Sequence, residues 1–207
     1  MKRSALLFFI LIVSTYDSLN AQTIASLDWH EGAVVTLLGD SITGHVFYDR
    51  QKKLILLASR SKFRAYSFHA VKSFAYYDGD LHMIRSFSTY NLTRYSGRHE
   101  VYEQLVTGKY HFLEKSMKSI YDQKETGFVS SLDRKISRSH YYLWNEGRPE
   151  RVGNFKKQFL SMCNEHHKEM IKQYVRHKGI TYSEPQHQAM IVSFANRLEE
   201  GDILASR

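Results

Sequence analysis

Apolar and polar residues alternate with a period of two through the first half of the chain, and the period then lengthens. Ala33–Leu38 is an apolar, β-branched run, and in Ile42–Tyr48 the residues Ile42, Val46 and Tyr48 share one face. Lys53–Ala58, Lys62–Phe68, Ser73–Tyr77, His82–Tyr90, Val101–Val106 and Lys109–Lys115 repeat this habit, with Gly, Asp or Asn at most breaks. Such patterning predicts short strands joined as hairpins. The gaps are too short for crossover helices, so the pattern predicts an antiparallel meander closing into a small barrel or sandwich. Tyr141–Trp144 predicts one more strand, turned by Asn145–Arg148 and returning to about Val152. The stretch 117–139 is polar, carries Ser130, Ser131, Ser137 and Ser139 among basic residues, and predicts a surface excursion.

After Asn154 the spacing becomes helical. Asn154 is a predicted N-cap, followed by Phe155, Phe159, Leu160 and Met162. Met170, Ile171, Tyr174 and Val175 then form a stripe that stops at Gly179. A last helix is predicted with Ser183 as N-cap, Pro185 in its first turn, and Met190, Ile191, Phe194 and Leu198 as its apolar face. The expected fold class is α+β: an N-terminal β-rich region over 22–153 and a C-terminal helical region of two to three helices over 154–207.

The N-terminus changes the picture of location. Lys2 and Arg3 precede the apolar run Ala5–Val13, and a more polar stretch ends at Ala21. That is the pattern of a secretory signal peptide over residues 1–21, and the apolar run is too short to span a bilayer. Export to the periplasm or beyond is the expectation. Cys163 is the only cysteine, so no disulfide forms within the chain and core packing must hold the fold. The 12 Phe and 14 Tyr supply material for that core.

Charge adds candidate partners. Lys and Arg number 29 against 21 acidic residues, a formal net charge of +8. Export argues against nucleic acid as the partner. Arg94 and Arg98, with Tyr95 and His99, and Arg134, Lys135 and Arg138, with His140, are candidates for binding an anionic glycan, a lipid headgroup or a phosphate. Asn91-Leu92-Thr93 is an N-glycosylation sequon, which has meaning only in a eukaryotic secretory route.

Three motifs test for chemistry. Gly39-Asp40-Ser41-Ile42-Thr43 resembles the Gly-Asp-Ser block of SGNH (GDSL-type) hydrolases, whose serine attacks an ester. That serine needs a histidine base, which the family places three residues after an aspartate. None of the 11 histidines here has an aspartate in that place, and the family's Gly-x-Asn-Asp block is missing. The strand-like pattern after Ser41 also conflicts with the helix that an α/β hydrolase requires. The segment therefore reads as a hairpin turn, with Gly39 suited to positive φ and Gly44 to a bulge. Cys163, His166, His167 and His177 lack the paired spacing of a zinc site and read as a hydrated helix face with a semi-buried thiol. Asp78-Gly79-Asp80 with His82 matches only the start of a calcium loop and reads as a turn. No metal, cofactor or catalytic residue is expected.

The order of segments resembles small exported proteins of unknown function common in Bacteroidetes-type bacteria. The resembling pieces are Trp29–Gly32 leading into Gly39–Gly44, Val71–Asp78, Tyr102–Leu113, Tyr142–Gly147 and Asn154–Leu160. The resemblance implies a periplasmic or secreted β-rich protein with a helical tail, and it carries no catalytic residues to transfer. The function expected is a non-enzymatic binding or envelope-associated module. An esterase using Ser41 and an anion- or glycan-binding module using the basic loops are the alternatives.

Overall fold

The structure is a computed structural model that describes residues 27–60, 62–91, 99–116, 139–145 and 147–205. Ten strands come first: β1 (His30–Thr36), β2 (Ser41–Asp49), β3 (Leu54–Ser59), β4 (Lys62–Ser67), β5 (Val71–Asp78), β6 (Met83–Asn91), β7 (His99–Val106), β8 (Phe112–Ser116), β9 (Ser139–Asn145) and β10 (Arg148–Arg151). Three helices follow: α1 (Phe155–Met162), α2 (Glu165–Lys178) and α3 (Pro185–Ala205). This is the α+β class that the change of period predicts.

The strands form one sheet in the order β10-β9-β8-β7-β6-β5-β1-β2-β3-β4, with every pairing antiparallel. The predicted closure into a barrel or sandwich is corrected: β4 and β10 are free ends of a single open sheet. Both ends are blunted against pairing with other chains. β10 is short and contains Pro149, and β4 carries exposed Lys62 and Arg64.

The link from β4 to β5 sets the curvature of the sheet. β5 pairs with β1, so β1, β2 and β3 lie between it and β4. In a flat sheet that is about 19 Å, or four strand spacings. The four Cα steps from Ser67 to Val71 reach only about 15 Å. The link also starts where Ser67 pairs with Leu54 and ends where Val71 pairs with Thr36, at opposite ends of the strands. The sheet must therefore coil strongly, carrying β4 back toward β5. A single 3₁₀ turn, Phe68–Ala70, makes the link and buries Phe68.

Two glycines permit the coil. Gly32 and Gly44 face each other across β1 and β2. A Cβ on Gly32 would lie 2.2 Å from the Ala75 carbonyl oxygen, and one on Gly44 2.3 Å from that of Ala58. Close backbone approach, rather than the expected bulge, is what Gly44 serves.

Two cores sit on the same face. Val34 opposes Phe74, Phe74 opposes Phe87, Phe87 opposes Glu103, Glu103 opposes Glu114, and Glu114 opposes Tyr141. The first core fills the coil: Phe74 stacks on Phe87 at 4.7 Å, and Tyr48 meets Phe74 edge-on at 4.9 Å. In the second, Phe112 and Leu143 receive Phe155, Phe159, Ile171 and Ile191 from the helices. Each such side chain contributes about 1.5–3 kcal/mol by burial. The carboxylates of Glu103 and Glu114 lie on the seam between the cores.

Local signals set the helix ends. Asn154 Oδ1 accepts from the Lys157 N–H at 3.0 Å, as its predicted capping role requires. Asn164 does the same for His167 at 2.7 Å. α2 stops at Gly179, whose φ is 62°, with Arg176, His177 and Lys178 in the last turn. α3 begins at Pro185, so Ser183 lies one residue too early to be its N-cap and instead bonds Thr181 Oγ1 at 3.0 Å. Met190 is also corrected: it is 41% exposed, whereas Ile191 is fully buried.

Candidate functional site

A cleft of about 350 Å³ opens between α1, α2 and the segment joining α2 to α3. Lys156 of α1, Glu169, Lys172, Val175 and Arg176 of α2, and Tyr182 line it. Residues 169, 172 and 176 recur at helical spacing on one face of α2. Val175, one step round the helix, faces the core.

The polar groups of this cleft are nearly all donors. Lys172 Nζ donates to Glu169 Oε1 at 2.5 Å. That bond and the attraction behind it hold the Glu169 carboxyl below its usual range and raise the Lys172 ammonium. The Lys156 ammonium sits 5.3 Å from the Tyr182 ring centre, a cation–π contact. Among the described residues, neither Lys156 nor Arg176 has an ion-pair partner. The Tyr182 hydroxyl is buried without a hydrogen-bond partner. Burial raises its pKa, opposed by the Lys172 charge, so the phenol stays protonated and able to donate. Two unpaired cations and a half-neutralised third suit a ligand rich in acceptor oxygens. The Arg176 fork in particular matches a carboxylate or phosphate.

Sequence reasoning missed this cleft. The available signal is the spacing of Lys172 and Arg176 beside the Ile171–Val175 stripe of α2. Lys156 and Tyr182 come from other elements, and only the tertiary fold brings them in.

Arg94, Arg98, Arg134, Lys135 and Arg138 lie outside the described residues, as do residues 1–21. Their described neighbours His99 and His140 fall in β7 and β9, with His140 Nε2 2.9 Å from Arg151 Nη2. Ser41 opens β2 opposite Val35, is exposed, and among the described residues no histidine hydrogen-bonds its hydroxyl. Before it, the Thr36 N–H donates to the Asp40 carbonyl at 2.9 Å, and Gly39 has a φ of 92°: a hairpin turn, as read. Asp78 likewise closes the β5–β6 hairpin, its Oδ1 accepting from the N–H groups of Asp80 and Leu81, each at 3.2 Å.

The cysteine–histidine cluster is split by the fold. His166 and His177 point to solvent, whereas Cys163 and His167 are buried. The expected hydrated face holds for His166 and His177, the Cys163 thiol is buried further than the half-burial expected, and His167 departs from the face. The buried pair belongs to an interior network. Glu199 Oε1 accepts from the Tyr110 hydroxyl at 2.8 Å and lies 3.1 Å from His167 Nδ1. Its Oε2 accepts from Lys109 Nζ at 2.6 Å. Burial alone would raise the Glu199 carboxyl, but the Lys109 and Tyr110 hydrogen bonds outweigh it and hold the group below its usual range. Burial pushes the Cys163 thiol up, which leaves it unreactive. This network ties α2 and α3 to the β7–β8 turn.

Comparison of the chain with protein-family models, with curated proteins and with solved structures found no match. Among the described residues, no helix is long and apolar enough to cross a membrane.

Proposed function

We propose that the protein is an exported, non-enzymatic binding module of the cell envelope whose ligand presents an anionic group. The observation that carries this reading is the set of cations Lys156, Lys172 and Arg176 in one open cleft lined by Tyr182. The signal-peptide pattern of residues 1–21 and the net charge of +8 support it from the sequence. The ligand class is a phosphate-, sulfate- or carboxylate-bearing small molecule or glycan.

Calorimetric titration of the mature protein with inorganic phosphate, sulfate and a short heparin fragment tests this. Binding should weaken as salt rises. It should fall about tenfold or more in Arg176→Ala, the scale set by losing one charge-assisted contact. Undiminished binding in Lys156→Ala/Arg176→Ala, or no binding of any of the three probes, overturns the reading.

A further inference from the structure

The coil of the sheet builds a second cleft, independent of the helical one. The β2–β3 turn swings over β7 and β8 and encloses about 80 Å³ at the seam between the cores. Asp49 Oδ1 fixes that turn by accepting from the N–H groups of Gln51 and Lys52, each at 2.9 Å, and Lys53 takes a left-handed φ of 54°. Lys53 Nζ then reaches Glu100 Oε1 of β7 at 3.8 Å, closing the turn onto the sheet.

Most charges lining this cleft are paired in place, Lys53 and Lys115 sharing Glu100. Lys115 Nζ donates to Glu100 Oε2 at 2.9 Å. Arg85 Nε donates to Glu103 Oε1 at 2.8 Å, its Nη2 donates to Glu103 Oε2, and its Nη1 donates to Asp78 Oδ2 at 3.3 Å. Two charges of opposite sign are left over. Glu114 accepts from the Ser139 hydroxyl and, among the described residues, meets no cation. Arg50 lies 5.4 Å from the centre of the Tyr48 ring and, among the described residues, meets no carboxylate. The apolar wall between them is aromatic: Tyr48, Phe68 and Phe87.

We infer that this cleft binds a small zwitterion of the α-amino-acid class. The ligand's ammonium pairs with Glu114, its carboxylate with Arg50, and its side chain rests on the aromatic wall. A group with only one charge would leave the other protein charge unmatched in a partly enclosed site, which costs affinity. The volume admits several water-sized groups, which fits a small amino acid.

The test is a titration of the isotope-labelled mature chain with L-alanine, propionate and ethylamine, followed by amide chemical shifts. Saturable shifts at Val101 and Lys115 are expected with alanine. Propionate and ethylamine should bind about tenfold more weakly or worse, since each keeps one of the two charge-assisted contacts. Arg50→Met and Glu114→Gln should each weaken alanine binding by a similar factor. Arg50 is exposed, so its variant folds and carries the test if Glu114→Gln does not. No saturable shift with alanine, equal binding of either single-charge probe, or undiminished binding in Arg50→Met overturns the inference. The helical-cleft variants leave this binding unchanged, so the two sites fail or stand separately.

Discussion

Asn196 clasps the backbone of Tyr110 on both sides. Its Oδ1 accepts from the Tyr110 N–H at 2.8 Å, and its Nδ2 donates to the Tyr110 carbonyl at 2.9 Å. The Nδ2 also donates to the Thr107 carbonyl at 3.2 Å. One side chain on α3 thus stands in for the strand partner that the β7–β8 turn lacks. Replacing Asn196 by Ala leaves buried backbone groups unpaired, and a loss of about 2–3 kcal/mol is expected. Urea unfolding measures it, and a loss below about 0.5 kcal/mol, the level of a neutral surface change, contradicts the clasp.

Gly44 and Ser41 make a matched pair of tests in one hairpin. A Cβ on Gly44 would sit 2.3 Å from the Ala58 carbonyl oxygen, so Gly44→Val forces β2 and β3 apart. A cost of about 1–3 kcal/mol or more is expected. Ser41 is exposed and makes no side-chain bond among the described residues, so Ser41→Ala should lie within about 0.5 kcal/mol of the parent. Thermal unfolding of the two variants side by side checks both.

Arg85 is the charge that makes the seam between the cores tolerable. It forks onto Glu103 and reaches Asp78 while lying 5.4 Å from the Phe87 ring centre. The hydrogen bond to Glu103 raises the Arg85 pKa beyond its ordinary value. Arg85→Met strands two carboxylates, and Glu103 already faces Glu114. About 3 kcal/mol of destabilisation is expected, partly recovered in Arg85→Met/Glu103→Gln. A double-mutant cycle reads the coupling.

Acid should unfold the helical half through Glu199. Its folded pKa is depressed, so its contribution is present above its unfolded value of 4.5 and is lost as pH falls through the folded value. Glu199→Gln should flatten stability against pH below about 4.5. At the other extreme, burial raises the Tyr110 phenol, so its contribution is complete below pH 10 and is lost as pH rises through its folded pKa. Circular dichroism melts at a series of pH values below about 4.5 and above about 10 measure the two limbs.

The sequence made the strands legible because one-sided burial enforces a period of two, and Gly39 and Asp78 mark turns whose chemistry is local. Asn154 and Gly179 declared helix ends for the same reason. The coil was not legible: it follows from the short Ser67–Val71 link together with the pairing of β5 to β1, and pairing between distant strands leaves no periodic trace. Asn164 as a cap was hidden beside the Cys163 and His166 cluster. Both clefts were equally hidden, since Lys156 meets Tyr182, and Arg50 shares a cleft with Glu114, only after the helices and the β2–β3 turn have packed.

The short passage through Phe68 also constrains the timing of folding. β5 cannot reach β1 while the first four strands lie flat, because the chain between Ser67 and Val71 is too short to cross them. Coiling of the β1–β4 hairpins and docking of β5 must therefore happen together, as one cooperative event. The strands from β6 to β10 each pair with a sequence neighbour, so that half of the sheet carries no such constraint. The short Ser67–Val71 link thus confines the cooperative constraint to one half of the fold.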